Sequence, residues 1–229
     1  MRILGVRIDN VTMAEALEKI RGFLNDDQQH QIVTLNPDFL VLAQKDKEFR
    51  DILNRADLSV PDGTGLILAS WLAGERLKEK VVGIDLIENC KLKIVNLKVF
   101  LLGGFNGAAE KIAKDWPAVV GFSEDTEGME LFARIREYQP NLLLVALGAP
   151  KQEKWIAQNL AKIPTVKVAI GVGSAFNILS GQIKRAPKIF QALGLEWLWR
   201  VFREPHRWRK VWRSVVVFPF LVIKQKITF

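Results

Sequence analysis

Four segments hold the residues whose types and spacing could do chemistry. In Pro61-Asp62-Gly63-Thr64-Gly65 a carboxylate follows an apolar run, with turn-forming residues on both sides. Proline, aspartate and glycine are a common turn combination, which accounts for the segment without catalysis. An aspartate that closes a strand also projects into the cleft beyond the strand end, where it can take a proton from a hydroxyl. In Thr34-Leu35-Asn36-Pro37-Asp38, Asn36 and Pro37 make a helix cap and first-turn proline, and Thr34 and Asn36 can equally face a ligand. Gly103-Gly104-Phe105-Asn106-Gly107 has the makings of a phosphate-cradling turn before a helix, or of a plain tight turn. It lacks the full dinucleotide fingerprint and the acidic residue that should follow. Gly148-Ala149-Pro150-Lys151-Gln152-Glu153 puts Gln152 and Glu153 in a first helical turn, where amides and side chains can hold a sugar or a base. Glu153 there is also favourable through helix electrostatics alone.

What is missing narrows the chemistry further. The only histidines are His30 and His206, and Cys90 is the single cysteine, so neither zinc ligation nor an internal disulfide is expected. Cys90 reads as a small apolar side chain on a helix, and a reducing compartment fits it. No Asp-x-Asp pair ends a strand, so no metal clamp for a nucleotide diphosphate is expected, and no cofactor either. A departing diphosphate must then be neutralised by cationic side chains, a task suited to the arginine fork.

These segments need elements to hold them. Apolar runs at residues 2–8, 32–35, 58–60, 99–102, 141–147 and 166–170 read as strands. Between them lie helical patterns, one opened by a capping box at Thr12-Met13-Ala14-Glu15, one by Asn36-Pro37, and others at 107–116 and through Trp155. Continuous apolar strands alternating with amphipathic helices predict an α/β fold, with a mainly parallel, Rossmann-like sheet covered by helices on both faces. The glycines and short polar residues gather in loops after the strands, where such sheets bind ligands.

From Ala186-Pro187 the pattern changes. Residues 183–229 carry eleven basic residues against Glu196 and Glu204, so this stretch holds +9 and the rest of the +8 chain is close to neutral. Four of the seven tryptophans also fall here. The division expected is a core at 1–194 and a basic, tryptophan-rich appendage of one or two amphipathic helices at 195–229. The longest apolar stretch, Val215 to Ile223, is interrupted by Pro219 and far short of the ~20 residues of a membrane span. No signal peptide is expected.

The ordered set of motifs is what identifies a resemblance. Thr34-x-Asn36, Pro61-Asp62-Gly63-x-Gly65, Val82-Gly83-Ile84-Asp85, Leu102-Gly103-Gly104 and Gly148-Ala149-Pro150-Lys151-Gln152-Glu153 come first. Gly171-Val172-Gly173, Arg185-Ala186-Pro187, Glu196-Trp197, Arg200 and Glu204-Pro205 follow. Together they resemble the WecG/TagA/CpsF glycosyltransferases across about residues 1 to 213. The resemblance implies transfer of N-acetylmannosamine, or its uronic acid, from a UDP-sugar to N-acetylglucosamine on a polyprenyl diphosphate, for teichoic acid or surface polysaccharide. It implies inversion, no metal requirement, and Asp62 as general base. Thr34 and Asn36 would line the sugar pocket, with Gly63, Gly103, Gly104, Gln152 and Glu153 near the nucleotide-sugar. Lys80 stands where the family usually has arginine, a point charge in place of a bidentate phosphate contact. Ser174 and Asn177 stand where glycine or alanine and aspartate are common.

The resemblance gives the tail a task. Cations interleaved with tryptophan suit an anionic membrane surface, so a cytoplasmic protein peripheral to the inner face is expected, with Arg200 and Arg207 helping to close the site over the diphosphate. A nucleic-acid-binding module would use similar residues, but it leaves the neutral core without purpose, so no nucleic acid is expected. An apolar patch covered by the tail in one state can serve a homo-oligomer in another.

Overall fold

A computed structural model describes residues 1–204 and 207–228, apart from the side chains of residues 192, 227 and 228. Pro205 of the Glu204-Pro205 motif and His206 lie outside the described residues. The run at 2–8 is not one strand. It folds back on itself as a hairpin of β1 (Arg2–Ile3) and β2 (Val6–Arg7). Leu4 and Gly5 turn the chain at φ 49° and 76°, the left-handed values a two-residue hairpin loop demands.

The remaining strands, β3 (His30–Leu35), β4 (Leu58–Pro61), β5 (Val99–Gly103), β6 (Val119–Ser123), β7 (Leu142–Ala146) and β8 (Val168–Gly171), make one sheet. Every pairing is parallel and the order is β4-β3-β8-β7-β5-β6. Successive strand residues point to opposite faces, so alternate positions enter different cores. Val99, Leu101, Leu142 and Leu144 face α1 (Met13–Asn25), α5 (Gly83–Lys93), α6 (Ala108–Asp115) and α9 (Ala175–Leu179). Phe100, Leu102, Leu143 and Val145 face α7 (Met129–Tyr138) and α8 (Lys151–Asn159). Val33 and Leu35 on that second face meet α2 (Pro37–Ala43), α3 (Lys47–Arg55) and α4 (Thr64–Leu72). Both faces of β5, β7 and β8 are covered, which is why those strands read as unbroken apolar runs.

The caps form as their residues dictate. Thr12 and Glu15 close a reciprocal capping box on α1, and the Asn36 side chain accepts from the Asp38 and Phe39 amides with Pro37 in the first turn of α2.

The tail is more extensive than one or two helices. It comprises α10 (Lys188–Ala192), α11 (Glu196–Arg203), α12 (Trp208–Trp212), a π-helical turn at Arg213–Val217 and α13 (Phe218–Thr228). A proline inside a helix lacks its N–H and clashes with the carbonyl four residues back; the wide turn just before Pro219 makes room for it. The rod then lies against the core: Phe218 and Val222 are 2% and 6% exposed, in one cluster with Phe39, Leu66 and Ala69. The Leu4 amide donates to Gln225 Oε1 at 3.1 Å, and Arg213 grips the buried Asp38 with Nε at 2.5 Å and Nη2 at 3.3 Å. Among the described residues no helix is long and apolar enough to cross a membrane.

Candidate active site

The carboxyl ends of β3, β4, β7 and β8 open onto one edge, and the tail lies across it. Asp62 follows β4 directly, its amide donating to the Leu35 carbonyl at 2.6 Å. Its carboxylate accepts the Gly83 amide at 3.2 Å, in the first turn of α5. Gly83 packs closely here, since a Cβ there would stand 3.2 Å from Thr34 Cγ2 and 3.4 Å from Asp62 Oδ2. Thr34, almost fully buried, donates through Oγ1 to the Gly171 carbonyl at 3.2 Å, tying β3 to β8. Asp62, Thr34 and Gly171 therefore form one packed corner.

The electrostatics of Asp62 suit a base. Burial raises its carboxyl from 3.8 to about 6, and the Glu196 charge pushes the same way. The Gly83 amide, Lys210 and Lys80 pull back. A carboxylate near 6 is ionised at neutral pH yet basic enough to accept a proton as a bond forms.

The cations come from the tail. Arg200 Nη2 and Arg207 Nη1 both donate to Ser174 Oγ, at 2.8 and 3.2 Å, in the loop after β8. The same two residues reach Glu204 Oε2, Arg200 Nε at 3.2 Å and Arg207 Nη1 at 2.9 Å. Burial and then the Arg207 charge lower Arg200. Lys210 belongs to the same group. Burial lowers its ammonium to about 8, with Arg207 and Arg200 adding to the fall and Asp38 and Asp62 opposing it. Nothing singled Lys210 out in the sequence, where it is one of eleven basic residues. Arg185 braces the arrangement from below, with Asp85 at 2.5 Å and Glu196 at 3.6 Å.

The other expected residues occupy distinct places. Asn36 stands at the end of β3 with Oδ1 committed to its cap. Gly63 caps α4 at φ 117°, and half-buried Lys80 lies on the segment whose next residue, Val81, bonds the Pro61 carbonyl. Gly103 and Gly104, at φ 82° and 90°, end β5 two strands beyond β8. Gln152 and Glu153 sit behind the loops of β7 and β8, at 2% and 0% exposure, so Glu153 offers no surface to a ligand. Asn177 lies in α9. Among the described residues no group of three or more His, Cys, Asp or Glu side chains could hold a metal ion.

A carboxylate at a strand end, electrostatically coupled to Lys210 and Arg200, is a combination that can take a proton and neutralise a phosphate. The profile of the glycosyl transferase WecG/TagA/CpsF family matches residues 1–229, and the chain belongs to that family of glycosyltransferases. Among its relatives is an N-acetylglucosaminyldiphosphoundecaprenol N-acetyl-beta-D-mannosaminyltransferase of Staphylococcus aureus strain MRSA252. It is 33% identical over 98% of this chain and 92% of its own. The proteins of that name from strains MW2 and NCTC 8325 are 32% identical over the same shares.

Proposed function

We propose that the enzyme transfers an N-acetylmannosaminyl unit, or its uronic acid, from a UDP-linked donor to N-acetylglucosamine on a polyprenyl diphosphate. The observation that carries this is the partly buried Asp62, raised to about 6, opposite Lys210, Arg200 and Arg207. The acceptor hydroxyl oxygen attacks the anomeric carbon while its proton passes to Asp62. The bond from that carbon to the diphosphate oxygen breaks, and UDP leaves with the electron pair. One displacement inverts the configuration. The cations of the tail neutralise the departing charge in place of a metal, and Thr34 and Asn36 frame the sugar.

The composition and exposure of the 195–229 appendage support a site that works at a membrane surface. Trp208, Trp212, Phe220 and Ile223 are exposed, and Arg203 and Arg209 lie over the rings of Trp199 and Trp208 at 5.2 and 5.5 Å. Apolar bodies with cationic heads suit the boundary of an anionic bilayer. Membrane binding is read by sedimentation with anionic and with zwitterionic vesicles; equal binding to both, or to neither, would sink this part.

The function is tested by UDP release from purified protein with a short-chain lipid-linked N-acetylglucosamine acceptor and chelator throughout. UDP-N-acetylmannosamine, its uronic acid and UDP-N-acetylglucosamine are offered separately. Acceptor-dependent turnover with a mannosamine donor is expected. Turnover only with UDP-N-acetylglucosamine, or only after metal is restored, would overturn the assignment.

A further inference from the structure

We infer that Glu153 is a positioning residue: it orients the Gln152 amide as a staple between the loops that close β7 and β8, and so shapes the donor-binding edge. The inference rests on the reading of that edge as a nucleotide-sugar site. Gln152 Nε2 donates to Glu153 Oε1 at 2.6 Å. Gln152 Oε1 accepts two backbone amides, Gly148 at 3.1 Å and Gly173 at 2.9 Å. Gly148 belongs to the loop after β7 and Gly173 to the loop after β8.

These partners leave the amide one orientation. The end that meets two N–H groups has to be oxygen, and the end that meets a carboxylate has to be nitrogen. Without the Glu153 acceptor the buried Gln152 NH2 has no partner, and a side chain that swings away to find one takes Oε1 from the Gly148 and Gly173 amides.

The carboxyl is itself held in place. A Cβ on Gly171 would stand 2.5 Å from Glu153 Oε1 and 2.6 Å from Gln152 Nε2, so the pair packs directly on the Gly171 backbone. The carbonyl of Gly171 is the one that takes the Thr34 hydroxyl, beside Gly83 and Asp62. Contacts therefore run unbroken from Glu153 to the base.

Packing alone does not call for an acid here. Glu153 is fully buried and its Oε2 has no hydrogen-bond partner among the described residues. An apolar side chain of the same size would avoid that penalty, whereas only an acceptor can fix the Gln152 amide.

Glu153→Gln keeps an acceptor for Gln152, and Glu153→Met keeps the volume without one. The Gln variant should stay within about threefold of the parent in UDP affinity and donor KM. The Met variant should lose about tenfold in both, with acceptor KM unchanged. A Gln variant as impaired as the Met variant, or a Met variant equal to the parent, overturns the staple. If circular dichroism shows the Met variant unfolded, amide hydrogen exchange decides. Gly148 and Gly173 should be protected in the parent and in the Gln variant; exchange as fast as in an open loop overturns the proposal. A parent protein that neither binds UDP nor turns over would instead defeat the functional reading, leaving the exchange result to judge the staple.

Discussion

Asp62→Asn should inactivate the enzyme and stabilise it at neutral pH. The folded chain raises this carboxyl from 3.8 to about 6, chiefly by burial. Between roughly pH 4 and 6 the folded state then holds the proton more tightly than the unfolded state does. Stability therefore falls as pH rises through that window and stays low above it. The full ionisation penalty is about 3 kcal/mol. That shift already includes the opposing attraction of Lys210, so the net gain should be up to about 3 kcal/mol at pH 7.5. Asparagine can still accept the Gly83 amide through its carbonyl, so the local geometry survives. Denaturant unfolding of both proteins at pH 4 and pH 7.5 measures the gap, expected near zero at the lower pH. Turnover should drop by about 10²- to 10⁴-fold, as for loss of a general base. A variant no more stable than the parent at pH 7.5, or a gap equal at both pH values, would refute the electrostatic account.

The pH profile of kcat/KM should be a bell, rising through about 6 as Asp62 ionises and falling through about 8 as Lys210 loses its proton; Lys210→Arg should carry the alkaline limb upward, and a profile flat above pH 7 would remove Lys210 from the site. Ser174→Ala takes away the acceptor shared by Arg200 and Arg207 and should weaken UDP binding about 3- to 10-fold by calorimetry. Unchanged affinity would show that Glu204 holds both arginines unaided. Phe218→Ala should cost about 3–5 kcal/mol in denaturant unfolding, because this tail residue is 2% exposed within the core. A loss below 1 kcal/mol, by the usual scale for surface substitutions, would mean that α13 does not pack as described.

Much of the frame was legible because local chemistry and tertiary structure agree. The Thr12–Glu15 box and the Asn36-Pro37 cap act through their own side chains, and β5 and β7 are apolar throughout because both faces are covered. β6 escaped notice because it is a half-exposed edge strand with glycine at its centre, so Val119–Ser123 shows neither alternation nor a full apolar run. The hairpin at the N-terminus hid because residues 2–8 are short and rich in isoleucine, leucine and valine, so they read as one strand, with Gly5 as the only turn signal. Asp62 and Thr34 were readable as strand-end residues. Lys210 was not, because only the path of the tail separates it from ten other cations. Glu153 read as an acid in a first helical turn that could hold a ligand, and nothing in its neighbours announces that it packs on Gly171, 18 positions away.

The place of β8 sets the order in which the molecule can be completed. It lies between β3 and β7, yet it is the last strand in the chain. Before β8 is made, the only partners its neighbours in the sheet have are β4 for β3, and β5 (itself paired with β6) for β7. The two halves of the sheet share no strand-to-strand hydrogen bonds until residues 168–171 arrive as a wedge between them. Such a long-range closure is slow, and the waiting edges of β3 and β7 are open to other chains. The wedge ends in Gly171, which meets Thr34 on one side and the Gln152–Glu153 pair on the other. No partly made chain can hold the site, because its two walls first meet when the last strand enters.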